Sequence, residues 1–249
     1  MKDQASITAQ VERLFNAGVH LGHKKNRLHP KARKYVYKIV NGTAVIDLTK
    51  TVEQLQAAVK FLKAQAKDGK VLLVVGTKKT VSQYVADICK EHGIAHISIK
   101  WMPGLLTNFE TLMKNVKKMK ELEEAKSRGE WDKFVKHERT KLSKLLNRLK
   151  KLYVGLTDLK KKPDVMFIID IKKEKNALIE ARKHNIPVVA LTDTNADPDT
   201  ITYPIVGNDD SALAAHLVIK DVVEAYAMSN VVSASNAVPL SSAVLPKSK

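Results

Sequence analysis

The chain has 249 residues, 44% of them hydrophobic, enough for one full core or a core carrying an insertion. Its 43 Lys and Arg against 26 Asp and Glu give a formal charge of +17, so a polyanionic partner is expected to relieve self-repulsion. An aromatic content of 5% argues against a binder built on base stacking, a lone cysteine excludes a disulfide framework or multi-thiolate zinc site, and no apolar run nears the roughly 20 residues of a membrane span.

The opening stretch MKDQASITAQVERLF has no signal-peptide core and carries acids, which argues against a transit peptide. From His20 to Lys38 come seven cations (Lys24, Lys25, Arg27, Lys31, Arg33, Lys34, Lys38), three imidazoles (His20, His23, His29) and no acid. Gly22 and Pro30 oppose a regular helix there, so an irregular basic arm is predicted over about 18–40.

Val52, Leu55, Val59, Leu62 and Ala66 then recur at three- and four-residue spacing, a helix over 51–67. The run Val71–Val75 is a strand buried on both faces, and Val81, Tyr84, Val85 and Ile88 stripe a second helix. Cys89 on that helix reads as a small buried hydrophobe in a reducing compartment. Ile94–Ile99 is a further strand.

Between Asn108 and Leu156 the rhythm changes. Phe109, Leu112, Val116 and Met119, then Val135, Leu142, Leu145, Leu149, Leu152 and Leu156, form two seams separated by Ser127-Arg128-Gly129. An antiparallel coiled-coil hairpin inserted at 108–156 follows, its longer arm about 30 Å at 1.5 Å per residue. Strands return at Val165–Ile169, Ile186–Leu191 and Ile205-Val206, with helices over 174–184 and Ser211–Met228. Alternating strands and helices imply a parallel α/β sheet with helices on both faces, built from 1–107 and 157–228. The Ser- and Ala-rich stretch 229–249 reads as a flexible tail.

Charge follows this organisation. The hairpin carries fourteen basic and seven acidic residues between Leu105 and Gly155, whereas Ala190–Asn230 holds seven acids and only Lys220. Segregation implies a basic face laid on phosphate, with the acidic face turned elsewhere. The arm lacks the apolar stripe of a membrane-surface helix, so RNA is favoured over lipid. His20, His23, Lys24, Lys25, Arg27, His29, Lys31, Arg33 and Lys34 are the leading RNA contacts. Lys78 and Lys79 follow them, placed where a helix N-terminus could take a phosphate.

Motifs for chemistry are weak. Gly76-Thr77-Lys78-Lys79-Thr80 lacks the upstream glycine of a phosphate loop, and no GxGxxG is present, so a nucleotide-dependent α/β enzyme is only a runner-up. The three imidazoles have no acid or cysteine nearby along the chain, so no metal or other cofactor is expected. Asp193, Asp197 and Asp199 read as turn and cap residues at a strand end, and Asn208, Asp209 and Asp210 as the start of the last helix. No catalytic constellation emerges.

Several ordered segments together resemble the small-subunit ribosomal protein two family, in its bacterial form. They are Ala17-Gly18-Val19-His20-Leu21-Gly22-His23, Val74-Val75-Gly76-Thr77-Lys78, Trp101–Asn108, Pro163–Asp170, Ile186–Asn195 with Asp197-Pro198, and Gly207–Ala212. The resemblance spans about residues 8–228. It implies a flavodoxin-like α/β domain with a coiled-coil hairpin, no catalysis, and a place on the cytoplasmic ribosome. It also implies small-subunit ribosomal RNA and neighbouring ribosomal proteins as partners, among them the large messenger-binding one, with no membrane and no small-molecule substrate. The loop that it marks adds Lys100, Trp101 and Asn108 to the RNA-contact set. Pro103 stands where most bacterial members have glycine and Lys100 where arginine is usual.

Overall fold

The protein is described from a computed structural model covering residues 2–236, with side chains from 7 to 230. Five strands form its central parallel sheet: β4 (Leu72–Val75), β5 (Ala95–Ile97), β6 (Val165–Ile169), β7 (Val188–Thr192) and β8 (Tyr203–Val206). Their order is β5-β4-β6-β7-β8. Every residue of β4 to β7 is buried, which is why these strands, apart from His96 and Thr192, are apolar runs rather than alternating ones.

Alternate residues serve opposite faces. Leu72, Val74, Phe167, Ile169, Val189 and Leu191 pack against α2 (Leu48–Lys67), α3 (Ser82–Glu91) and α7 (Ala212–Asn236). Leu73, Val75, Met166, Ile168, Val188 and Ala190 face α6 (Lys175–Lys183) together with the base of a helical pair, α4 (Phe109–Ser127) and α5 (Lys136–Tyr153). The helices on both faces agree with the α/β expectation. Cys89 is buried on α3, and that burial pushes its thiol up to about 12. The edge strand β8 carries Pro204 and is tied to α2, where Gln54 accepts from the Val206 amide and Thr51 donates to the Val206 carbonyl.

α4 and α5 run antiparallel, joined through Gly129 (φ 73°) and cross-linked by Asn115 with Tyr153 and by Glu123 with Lys150. Phe109, Val116, Met119, Leu146, Leu149 and Tyr153 are buried along the contact. Val135 is not; it precedes α5 and is 66% exposed, so the seam begins later than the spacing suggested. The pair leaves the sheet at Gly155, where an added Cβ would lie 2.2 Å from the His96 carbonyl oxygen.

The N-terminal region differs from the expected irregular arm. It is a small antiparallel sheet, in the order β1-β3-β2, of β1 (Leu21–Lys24), β2 (Val36–Val40) and β3 (Thr43–Ile46). The cause is turn chemistry: Asn41 (φ 49°) and Gly42 (φ 77°) form the two-residue connection that matches the twist of paired strands. Gly22 and Pro30 oppose a helix but not this arrangement, because Pro30 merely opens a short helical turn, Pro30–Tyr35. A helix before it, α1 (Lys2–Asn16), sets Ile7, Val11 and Leu14 against Leu48, Val52 and Ala214. α7 continues to Asn236, eight residues past Met228, so the tail expected from Ser229 is helical as far as it is described; residues 237–249 lie outside the described part.

Candidate nucleic-acid interface

In an open parallel sheet the loops after the strands meet at the carboxyl edge, on either side of the point where strand order reverses. Here that point lies between β4 and β6. Lys78 follows β4; Asp170, Asp193 and Asp209-Asp210 follow β6, β7 and β8. The Lys78 Nζ lies 2.7 Å from Asp209 Oδ1, 2.5 Å from Asp210 Oδ1 and 3.5 Å from Asp170 Oδ2. The crevice a nucleotide would use is thus occupied by the protein's own ion network.

Burial sets the charges in it. The Lys78 side chain is 17% exposed and Asp209 3%. Burial lowers the Lys78 affinity for its proton, yet hydrogen bonds to Asp209 and Asp210 outweigh this and hold it protonated. Asp209 is pushed up to about 7 by burial, then by repulsion from Asp170, with Lys78 pulling the other way. Asp210, bonded to Lys78, is held below the usual carboxylate range, and the field of Arg27 adds to this. Nearby, burial also raises Glu174, which accepts from the Thr77 hydroxyl.

The basic arm sits on these acidic loops. The His23 Nδ1 is 2.8 Å from Asp193 Oδ2, and its Nε2 is 2.8 Å from Asn195 Nδ2. The Thr194 hydroxyl accepts from the His23 amide at 3.0 Å and donates to Asp193 Oδ1 at 2.9 Å, while the Thr194 carbonyl accepts from the His29 amide at 2.8 Å. Gly22 permits the approach: a Cβ there would lie 2.9 Å from Thr194 Cγ2. Further along, Lys31 Nζ meets Asp197 Oδ2 at 2.8 Å and Lys34 Nζ meets Asp199 Oδ1 at 2.6 Å. The acidic loops are therefore not turned away from the arm. Opposite charges distant in sequence attract, and several of the arm's cations are spent on that contact.

What remains facing outward is a shorter set. Lys24, Lys25, Arg27, Arg33, Lys38, Lys79 and Lys100 are exposed. None of them makes an ion pair of 4 Å or less among the described residues. Asn108 is exposed at the start of α4, with no side-chain cap bond. His20 stacks on Phe15 at a centroid distance of 4.2 Å, and the Nδ1 atoms of His20 and His29 are buried without a hydrogen-bond partner. Both residues are half-buried. Trp101 also differs from an exposed contact: it is 5% exposed, and its Nε1 donates to Glu180 Oε1 at 3.1 Å. The same carboxylate accepts from the amides of Gly104 and Leu106, so Glu180 holds the whole loop.

Along the chain no acid lies near the imidazoles, but in space two lie beside His23. Ligand atoms of His23, Asp193 and Asp210 lie within 4.8 Å of one another, and these are the residues that could hold a cation. As expected for turn residues, Asp197 accepts from the Asp199 amide and Asn208 from the amides of Asp210 and Ser211. Asp209 and Asp210 differ, since their side chains turn to Lys78 rather than to α7.

Among the described residues no helix is long and apolar enough to cross a membrane. Relatives named "Small ribosomal subunit protein uS2" share the chain's sequence. Those of Dictyoglomus thermophilum and Dictyoglomus turgidum are each 41% identical over 215 residues, covering 86% of this chain and 87% of theirs. That of Coprothermobacter proteolyticus is 39% identical over 215 residues, covering 86% and 80%. With the family model "Ribosomal protein S2" also matching residues 14–229, the chain belongs to the ribosomal protein S2 family.

Proposed function

We propose that this chain is a structural constituent of the small ribosomal subunit, on the cytoplasmic ribosome, held to ribosomal RNA by the outward cations of its arm. The observation that carries the reading is that Lys24 and Lys38 on the small sheet, and Lys25 and Arg33 on the turns between its strands, stand exposed and without an ion-pair partner on a unit that is itself fastened to the core. Such a sheet presents charge at fixed spacing, which suits recognition of RNA by shape and phosphate position. Lys79, Lys100 and Asn108 extend the same reading to the loops after β4 and β5. His20, His29 and Trp101 support their surroundings by packing, and Lys78 does so through its ion network.

Family membership favours a structural rather than a catalytic role, and nothing supports the nucleotide-enzyme alternative. The segment 108–156 is read as an insertion in the α/β body whose surplus of cations adds a second basic surface. Neighbouring ribosomal proteins, including the large messenger-binding one that the family implies, are the protein partners.

The test is binding of the full chain to small-subunit ribosomal RNA across a salt series. Replacing Lys24, Lys25 and Arg33 by Gln should weaken binding and make the log–log salt slope shallower by about 2–3, since each phosphate contact contributes roughly 0.7–0.9. An unchanged affinity and slope would show that the arm is not the contact surface.

A further inference from the structure

We propose that Asp197 and Asp199 are specificity-determining residues for RNA: they occupy Lys31 and Lys34 as internal substitutes for phosphate, and so withhold both lysines from RNA of the wrong shape. This rests on the reading of the arm as the RNA contact. The two pairs join the arm's turn Pro30–Tyr35 to the turn Pro198–Thr200 after β7. Both lie in solvent: the lysine side chains are 54% and 53% exposed. Ion pairs in water are weak and exchangeable, so a well-placed phosphate can take either lysine.

Asp197, however, does not leave with the exchange. Asp197 Oδ1 accepts from the Asp199 amide at 3.0 Å, which anchors the carboxylate at the head of its turn while Oδ2 faces Lys31. The bond to Lys31 also holds the Asp197 carboxyl below the usual carboxylate range, so it stays charged. Lys34 is tethered as well, its carbonyl accepting from Lys50 Nζ at 2.6 Å. A phosphate that captures these lysines therefore meets two carboxylates, that of Asp197 anchored, and only RNA that fits elsewhere on the arm offsets that repulsion. The arm thus carries two grades of cation: Lys24, Lys25, Arg33 and Lys38 open to any phosphate, Lys31 and Lys34 conditional.

The experiment compares full-length wild type with D197N/D199N on small-subunit ribosomal RNA and on an unrelated RNA duplex. Asn keeps the turn-capping ability of Asp. Affinity for the unrelated duplex should rise roughly three- to tenfold, with a salt slope steeper by about 1–2, and the gain on ribosomal RNA should be smaller. Adding K31Q/K34Q to D197N/D199N should erase the gain. The pair D68N/E91Q changes net charge equally at the opposite end of the sheet and controls for it. The proposal is overturned if D197N/D199N behaves like D68N/E91Q, or if the lysine changes leave the gain intact. Should the triple arm variant K24Q/K25Q/R33Q bind ribosomal RNA unchanged, it is the arm reading that fails; should it bind weakly while D197N/D199N shows no gain, only the masking role fails.

Discussion

Lys78 and Asp209 are 131 residues apart in sequence and form an ion pair of 2.7 Å across the carboxyl edge of the sheet. The pair ties the loop after β4 to the loop after β8, two strands that are not neighbours. Asp170 and Asp210 complete the ring around the ammonium. One cation thus gathers three strand-end loops at the place where this architecture usually opens a ligand crevice.

That network should make stability depend on pH through Asp209. Its folded carboxyl, at about 7, is above the ordinary value of 3.8, so between these values the folded state binds more protons than the unfolded one. Stability from this group is then fully present below about 4 and is lost as pH rises through 7. Asp209→Asn removes the titration while keeping the shape. In denaturant unfolding, wild type should therefore lose stability relative to D209N between pH 4 and 8; a constant gap would refute the assignment. Lys78→Met should cost about 1–3 kcal/mol, limited because Asp209 can take a proton instead of staying charged and unpaired.

The seat of the arm gives a second prediction. Thr194→Val removes the hydroxyl that accepts from the His23 amide in a part-buried setting and donates to Asp193 in a buried one. A loss of roughly 1–3 kcal/mol is expected from the unpaired groups. Gly22→Ala attacks the same contact from the other side, because its Cβ would meet Thr194 Cγ2 at 2.9 Å and the Ala44 carbonyl oxygen at 3.1 Å. Limited proteolysis of both variants should cut first between 20 and 46, and cleavage spread evenly over the chain would contradict this.

These contacts mark the boundary of what the sequence reveals. β4, β6 and β7 are legible because both their faces are buried, which writes them as runs of Val, Ile, Leu, Phe, Met and Ala, with Thr192 at the end of β7. The β2–β3 hairpin was legible too, through Asn41-Gly42, as was α1 through Ile7, Val11 and Leu14 at helical spacing, but dense positive charge drew the reading toward an irregular arm. The seating of that arm was not legible. Nothing local to Lys31 or Lys34 announces an aspartate 166 or 165 residues away; the only trace is that a block of seven cations and a block rich in acids have opposite sign. The burial of Trp101 was not legible for a related reason: its indole donates to Glu180, on a helix 79 residues later.

Gly155 ties the helical pair to the sheet. Its missing side chain lets the chain leaving α5 pass the His96 carbonyl oxygen, which an added Cβ would approach to 2.2 Å. Gly155→Ala should therefore force the base of the pair away from β5, at a cost of about 3 kcal/mol. For a domain of this size that corresponds to a melting temperature lowered by roughly 6–12 °C. A thermal scan within a degree or two of wild type would show that the junction yields more easily than its packing implies.

Glu180 offers the sharpest separation of support from contact. One carboxylate accepts three hydrogen bonds, from Trp101 Nε1, the Gly104 amide at 2.7 Å and the Leu106 amide at 3.1 Å. Glu180→Ala leaves all three donors without that acceptor in a partly buried loop, and a loss of about 2–4 kcal/mol is expected. Glu180→Gln keeps the acceptor oxygen but replaces the other with an amide that cannot accept, so it should cost less. Because Trp101 is one of only two tryptophans, the opening of its surroundings should red-shift emission in E180A. If Trp101 acts by packing alone, Trp101→Phe should lower stability while leaving the affinity of the folded protein for RNA as in wild type. Weaker RNA binding by the folded W101F variant at an unchanged salt slope would instead place Trp101 on the RNA, since an uncharged indole adds affinity without releasing counterions.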